Sequence, residues 1–210
     1  LNTVINTVTE NFDVKEGGNV EVVSVEPSIG QETLGNGLKA TLIASVLIIL
    51  YVTWRFSSMH GFAASITALV ALVHDILVVF TMYTVFQLPL GEVFISAILT
   101  IIGYSLNDTI IIYDRIRENS KLMKKSTLDE IVNTSIKQSL TRTVNTAATT
   151  LLTVATLYIF AAVNNISSLM EFALPLMVGF IAGVYSTVFI ASQLWLMWRK
   201  STMRKTLKSA

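Results

Sequence analysis

The chain has 210 residues, 52% of them hydrophobic and only 14% charged, against roughly 25% charged in ordinary soluble domains. It contains no cysteine, which excludes a disulfide framework, a thiol nucleophile and a cysteine-ligated metal site. The formal net charge is +1, so the information lies in the order of the charges along the chain rather than in their sum.

The first residue is Leu1 rather than Met, and Leu1 to Phe12 reads as an amphipathic helix with Val4, Ile5, Val8 and Phe12 on one face. Asp13 to Asn19 is a turn-rich connection containing Gly17 and Gly18, and Val20 to Val25 reads as a strand. One helix and one strand bury no core by themselves. Residues 1–37 are therefore expected to be the C-terminal part of a larger extracytoplasmic α+β domain whose front lies upstream.

Five apolar segments follow, over about residues 38–56, 62–86, 93–115, 142–163 and 171–198. Each has the length that a helix rising about 1.5 Å per residue needs to cross roughly 30 Å of hydrocarbon. Helix is also the open-chain form that pairs every backbone group within its own segment. The expected fold class is thus all-α and polytopic, with a transmembrane domain over residues 38–200. Between the third and fourth segments, Thr127-Leu128-Asp129-Glu130 has the form of a capping box, and Leu128, Ile131, Val132, Ile136 and Leu140 recur at helical spacing. Residues 126–141 are expected to form a helix lying on the membrane surface, or else a plain amphipathic connector.

The connections alternate in charge. Arg55 follows the first segment, residues 87–92 carry no Lys or Arg, the next loop carries Arg115, Arg117, Lys121, Lys124, Lys125 and Lys137, residues 163–170 carry none, and Arg199, Lys200, Arg204, Lys205 and Lys208 follow the last segment, the last three in the basic tail over 201–210. By the positive-inside rule the basic loops and the C-terminus face the cytoplasm, and the acidic N-terminal part lies outside. Trp54, Trp195 and Trp198 fall at the expected cytoplasmic ends, where an aromatic belt belongs.

Against this apolar background the polar residues stand out. Asp108, with Asn107 before it, lies about 10 Å inside Arg115 along the third segment, where an ionisable group costs several kcal/mol and marks a functional site by default. A carboxyl that loads and releases protons near neutrality must sit well above its ordinary pKa of about 3.9; desolvation supplies such a shift and an adjacent arginine opposes it. Ser96, Thr100, Gly103 and Asn107 share one face of that segment, for which close helix packing is the plain explanation. On the fourth segment Arg142, Thr146, Thr149, Thr153 and Thr156 share a face: either a hydroxyl-lined path ending in a cation, or threonines bonded back to their own helix beside an arginine that snorkels to the interface. His74 and Asp75 are adjacent near the middle of the second segment, as a proton relay or a neutral structural pair. Asp114, Arg115, Arg117 and Glu118 read as a network of i, i+3 and i, i+4 ion pairs at the water boundary. Gly179 and Gly183, four apart on the last segment, suit a close helix crossing. No nucleotide-binding, HExxH or Ser/His/Asp pattern appears, so no hydrolytic activity is expected.

Gly103 to Asn119, GYSLNDTIIIYDRIREN, resembles the fourth-helix motif of the SecF family of bacterial protein-export membrane subunits, members of the resistance-nodulation-division superfamily. Ala71-Leu72-Val73-His74-Asp75 is similar to the family's His-Asp helix, Thr141-Arg142-Thr143-Val144-Asn145-Thr146 to the start of its fifth helix, and Val25 to Gly30 to the chain entering its second helix. The resemblance implies a six-helix half-unit whose first helix and external front precede this sequence. It implies a SecD partner that completes a pseudo-symmetric pair, association with the SecYEG channel, YajC and other accessory subunits, and an unfolded preprotein moved in late export steps by the proton gradient. It implies Asp108 as the proton-binding carboxylate and Arg142 as its charged counterpart, while His74 and Asp75 match family positions without an assigned role. Asn107, Thr109, His74, Asp75, Thr146 and Thr149 are candidates for relay or support, and neither cofactor nor metal is expected. A lipid or drug exporter of the same superfamily and a scaffold for the channel are the competing readings.

Overall fold

The computed structural model describes residues 27–209, and these are helical almost throughout. The helices are α1 (Pro27–Arg55), α2 (Gly61–Val85), α3 (Glu92–Leu122), α4 (Leu128–Val163), α5 (Ser167–Tyr185) and α6 (Ser192–Ser209). A short 3-10 turn, Ser57–Met59, precedes α2, and a π-helical stretch, Ser186–Ala191, joins α5 to α6 without a break. Among the described residues five units are long and apolar enough to cross a membrane: Gly35–Arg55, Gly61–Val85, Glu92–Leu122, Leu128–Val163 and Ser167–Arg204. The all-α polytopic fold expected from hydropathy is what forms. The helix over 1–12 and the strand over 20–25 lie outside the described residues.

Three boundaries differ from expectation. The chain is already helical from Pro27, inside the stretch assigned to the external domain; proline suits the first helical position because its missing N–H has no acceptor there. The third helix runs to Leu122. The surface helix expected over 126–141 is no separate element: it forms the first turns of α4, which continues unbroken to Val163. Its start was correctly marked, because the Thr127 side chain accepts from the Glu130 backbone N–H and the Glu130 carboxylate from the Thr127 N–H at 2.9 Å. Nothing marks an end, since no glycine or proline occurs between Leu128 and Val163.

The core gathers around α3, whose Ala97, Ile98, Ile101, Ile102, Ile112, Tyr113 and Ile116 are buried. The helix α5 lies across it at close range. A side chain at Gly179 would run into Ile101, and one at Gly183 would come within 3.2 Å of the Ser105 side chain, so the two glycines do form a tight crossing. Gly103 does not join them. Nothing in the chain lies within 4 Å of where its side chain would point, because α5 packs on the Ile101 and Ser105 side of α3. Ser96, Thr100, Gly103 and Asn107 therefore form an exposed small and polar face. α1 packs mainly on α2, and its Leu38, Leu42, Leu47 and Leu50 are exposed, as suits a helix bordered by lipid.

Candidate functional site

Asp108 sits at the seam of α3 and α4. It is 3% exposed, and its Oδ2 has no hydrogen-bond partner among the described residues. The α4 groups that act on this carboxyl are the Thr143 hydroxyl and the Arg142 guanidinium. Thr143 is fully buried, and its hydroxyl faces Asp108 without closing a full hydrogen bond. One turn before Asp108, the Tyr104 ring packs on Phe180 at 4.3 Å and brings a third buried hydroxyl, which faces Thr150 of α4 without closing a full hydrogen bond. An unpaired buried polar group costs about 1–3 kcal/mol, so three along one seam are an expensive arrangement for packing alone.

Arg142, next to Thr143, forms no ion pair among the described residues and is exposed. It lines a cavity of about 280 Å³ between the charged ends of α3 and α4, together with Ile111, Asp114, Arg115, Glu118, Gln138 and Ser139. Asp108 and Arg142 are thus brought into one neighbourhood without being joined. Asn107, beside Asp108, points to the exposed face instead. The hydroxyl stripe on α4 takes the plain reading where its bonds are seen. Thr149 donates to Thr146 O at 2.9 Å, Thr153 to Thr149 O at 2.9 Å and Thr156 to Leu152 O at 2.8 Å. The hydroxyl that faces Asp108 is Thr143, which the stripe of threonines hides. The signal for it is the run of small residues Ser135, Ser139, Thr143 and Ala147, every fourth position, all buried.

Asp75 is 1% exposed and, unlike Asp108, fully partnered. Its Oδ2 accepts the Ser105 hydroxyl of α3 at 2.6 Å and the Ser186 hydroxyl at 2.9 Å, while Oδ1 contacts His74 Nδ1 at 3.1 Å. Thr109, the residue after Asp108, donates to Ser105 O at 3.1 Å and pairs with the Thr187 hydroxyl at 3.1 Å. Three elements therefore meet at one carboxylate, a junction that the adjacent His-Asp pair alone does not announce.

At the charged end, Asp114 binds Arg55 of α1 at 2.8 Å and Arg117 at 2.9 Å, and both guanidinium groups lie over the Phe56 ring. Arg115 pairs with Glu118 at 2.9 Å, also at i, i+3. The expected surface network forms, with Arg55 as a long-range member. Among the described residues no group of three His, Asp or Glu is placed to hold a metal ion.

Comparison with known proteins gives a consistent picture. The family model described as Protein export membrane protein SecD/SecF, C-terminal, matches residues 4–201. The protein translocase subunit SecDF of Bacillus subtilis is 42% identical over 197 residues, covering 92% of this chain and 26% of that protein. The protein translocase subunit SecF of Alicyclobacillus acidocaldarius is 36% identical over 192 residues, covering 90% of this chain and 60% of that one. Among solved structures, SecDF in a super-membrane-facing form superposes with a TM-score of 0.81 at 34% identity, covering 100% of this chain and 27% of that one. SecDF from Thermus thermophilus superposes with 0.74 at 39% identity, over 84% and 23%. The chain thus spans about a quarter of its SecDF relatives and about 60% of its SecF relative.

Proposed function

We propose a proton-driven role in protein export for this chain, which belongs to the SecD/SecF family of protein export membrane proteins. The observation that carries the reading is the Asp108 seam: a buried carboxylate with an unpaired oxygen, facing Thr143, beside an arginine that reaches it only through space. Asp108 is the proton carrier and Arg142 its movable counter-charge. When Arg142 closes on Asp108 the ionised carboxylate is favoured; when they separate, the desolvated carboxyl takes a proton, so proton transit is coupled to movement of α3 against α4. One charge crossing about 100 mV is worth about 2.3 kcal/mol, enough to bias a conformational equilibrium but not to overwhelm it.

The charged end, with Arg55, Arg115 and Arg117, faces the cytoplasm, and the chain ahead of α1 lies outside. The energy comes from the proton gradient, and no bond is hydrolysed. The exposed face of α3, with Ser96, Thr100, Gly103 and Asn107, supports a second membrane half packed against it: a small, polar helix face fits another helix better than it fits lipid. That half is SecD, in keeping with relatives named SecDF that are several times longer than this chain. The SecYEG channel, YajC and the exported preprotein are the further partners of this reading.

Gradient-stimulated export, measured with the full-length protein and its partners reconstituted, tests it. Asp108→Asn and Arg142→Ala should abolish the stimulation while leaving the complex assembled. Full stimulation in both variants would make the seam structural and leave the scaffold reading standing.

A further inference from the structure

The π-helical stretch Ser186–Ala191 is placed where two of its consecutive residues reach two different helices. Ser186 donates to Asp75 on α2 at 2.9 Å, and Thr187 pairs with Thr109 on α3 at 3.1 Å, one residue from Asp108. Single π turns in long helices are rare and occur often at functional sites. This one is held by the residue that follows it, because Ser192 donates to the Thr187 carbonyl at 2.8 Å, five residues back. The other end of the Asp108 turn is fixed as well, since Ser105 donates to Asp75 at 2.6 Å. The α3 turn from Ser105 to Thr109 is therefore clamped at both ends, and Asp108 is its one buried polar side chain left without a full set of bonds. All of Asp75, Ser105, Thr109, Ser186, Thr187 and Ser192 are at most 2% exposed.

We infer that Asp75, Ser186 and Thr187 are positioning residues for the proton site: through Ser105 and Thr109 they fix the α3 turn that aims the Asp108 carboxyl at Thr143. This rests on the reading of Asp108 as the proton carrier and adds what holds it in place. The junction links the carrier to α2, α5 and α6, so a movement of the last helix is felt at Asp108 through two side-chain bonds rather than through general packing. Glycine at 183 belongs to the same device, since a larger residue there would push on Ser105. The ionisable groups that face the clamp are few. His74 acts on Asp75 from α2, Arg142 from α4 and the Tyr104 phenol from α3 act on Asp108, and among the described residues the α5 side contributes neutral hydroxyls and the Tyr185 ring, 5.7 Å from His74.

The test is the pH profile of gradient-stimulated export in the full-length, reconstituted complex, normalised to the amount assembled. Ser186→Ala and Thr187→Val should each lower stimulation by up to about a hundredfold and displace the midpoint of the profile, as expected when a reacting group is held about 1 Å out of place. Ser186→Thr and Thr187→Ser, which keep a hydroxyl, should restore both. An unmoved midpoint in assembled Ser186→Ala and Thr187→Val complexes would overturn the inference, as would a loss that follows assembled protein alone. Asp108→Asn run alongside separates the two readings. If it keeps its stimulation, the carrier assignment fails; if it loses stimulation while the clamp variants keep theirs, only the positioning role fails.

Discussion

Arg55 at the end of α1 and Asp114 on α3 are joined at 2.8 Å across 59 positions of sequence, and Arg117 reaches the same carboxylate from its other side. The helix that leads in from the N-terminal part of the chain is thereby tied to the helix that carries Asp108. Removing the carboxylate by Asp114→Ala leaves two guanidinium groups over one phenyl ring with no counter-charge. The expected cost is about 1–2 kcal/mol, between an exposed pair and a buried one. Unfolding of the purified protein in detergent measures it, and added salt should narrow the difference from the parent, because the pair sits at a water boundary. Arg117→Ala should cost less, since Arg55 keeps its bond.

Three glycines make a graded series. Gly179→Ala forces the Ile101 side chain to move and should destabilise by about 1–3 kcal/mol, the usual cost of overpacking. Gly183→Ala meets Ser105 at 3.2 Å and should cost less in stability, while disturbing the Asp75 junction. Gly103→Ala meets nothing and should stabilise the isolated chain by up to about 1 kcal/mol through helix propensity. Gly103→Leu should leave the fold intact yet weaken co-purification with the SecD half proposed to pack there. Unchanged co-purification would mean that this face of α3 borders lipid.

The five spans were legible because length and apolarity are enough to specify them in a membrane. The burial of Asp108 stands out for the converse reason: a carboxylate in an apolar span is costly and so conspicuous in the sequence. What could not be read was which neighbour each polar group meets. Ser105 and Ser186 meet Asp75 across 30 and 111 positions, a relation that exists only after α3 and α5 have crossed. Thr143 was missed because the more conspicuous threonines occupy the exposed side of α4, where their hydroxyls turn back on the helix. The continuity of α4 was missed because a start signal at Thr127 was paired with an assumed stop that the sequence never provides.

The cap itself gives a local prediction. Thr127→Ala removes the side-chain acceptor for the Glu130 N–H and should cost about 1 kcal/mol. Hydrogen exchange should show the loss confined to the first turn of α4. Exchange that rises as far as Thr143 would mean instead that the first turns and the membrane-spanning part of α4 open together.

Thr143 offers the sharpest comparison at the seam. Thr143→Val keeps the shape of the side chain and removes the hydroxyl that faces Asp108, whereas Thr149→Val removes one that is bonded to Asn145 and Thr146 of its own helix. Both changes are nearly equal in volume, and both remove one hydroxyl from α4. If the seam binds the proton, Thr143→Val should displace the pH midpoint of gradient-stimulated export by up to about one unit, because one pKa unit corresponds to about 1.36 kcal/mol, the size of a single hydrogen bond. Thr149→Val should leave the midpoint where it is. Equal displacement by both would place the proton path along the exposed threonine stripe instead, and no displacement by either would detach α4 from the proton site.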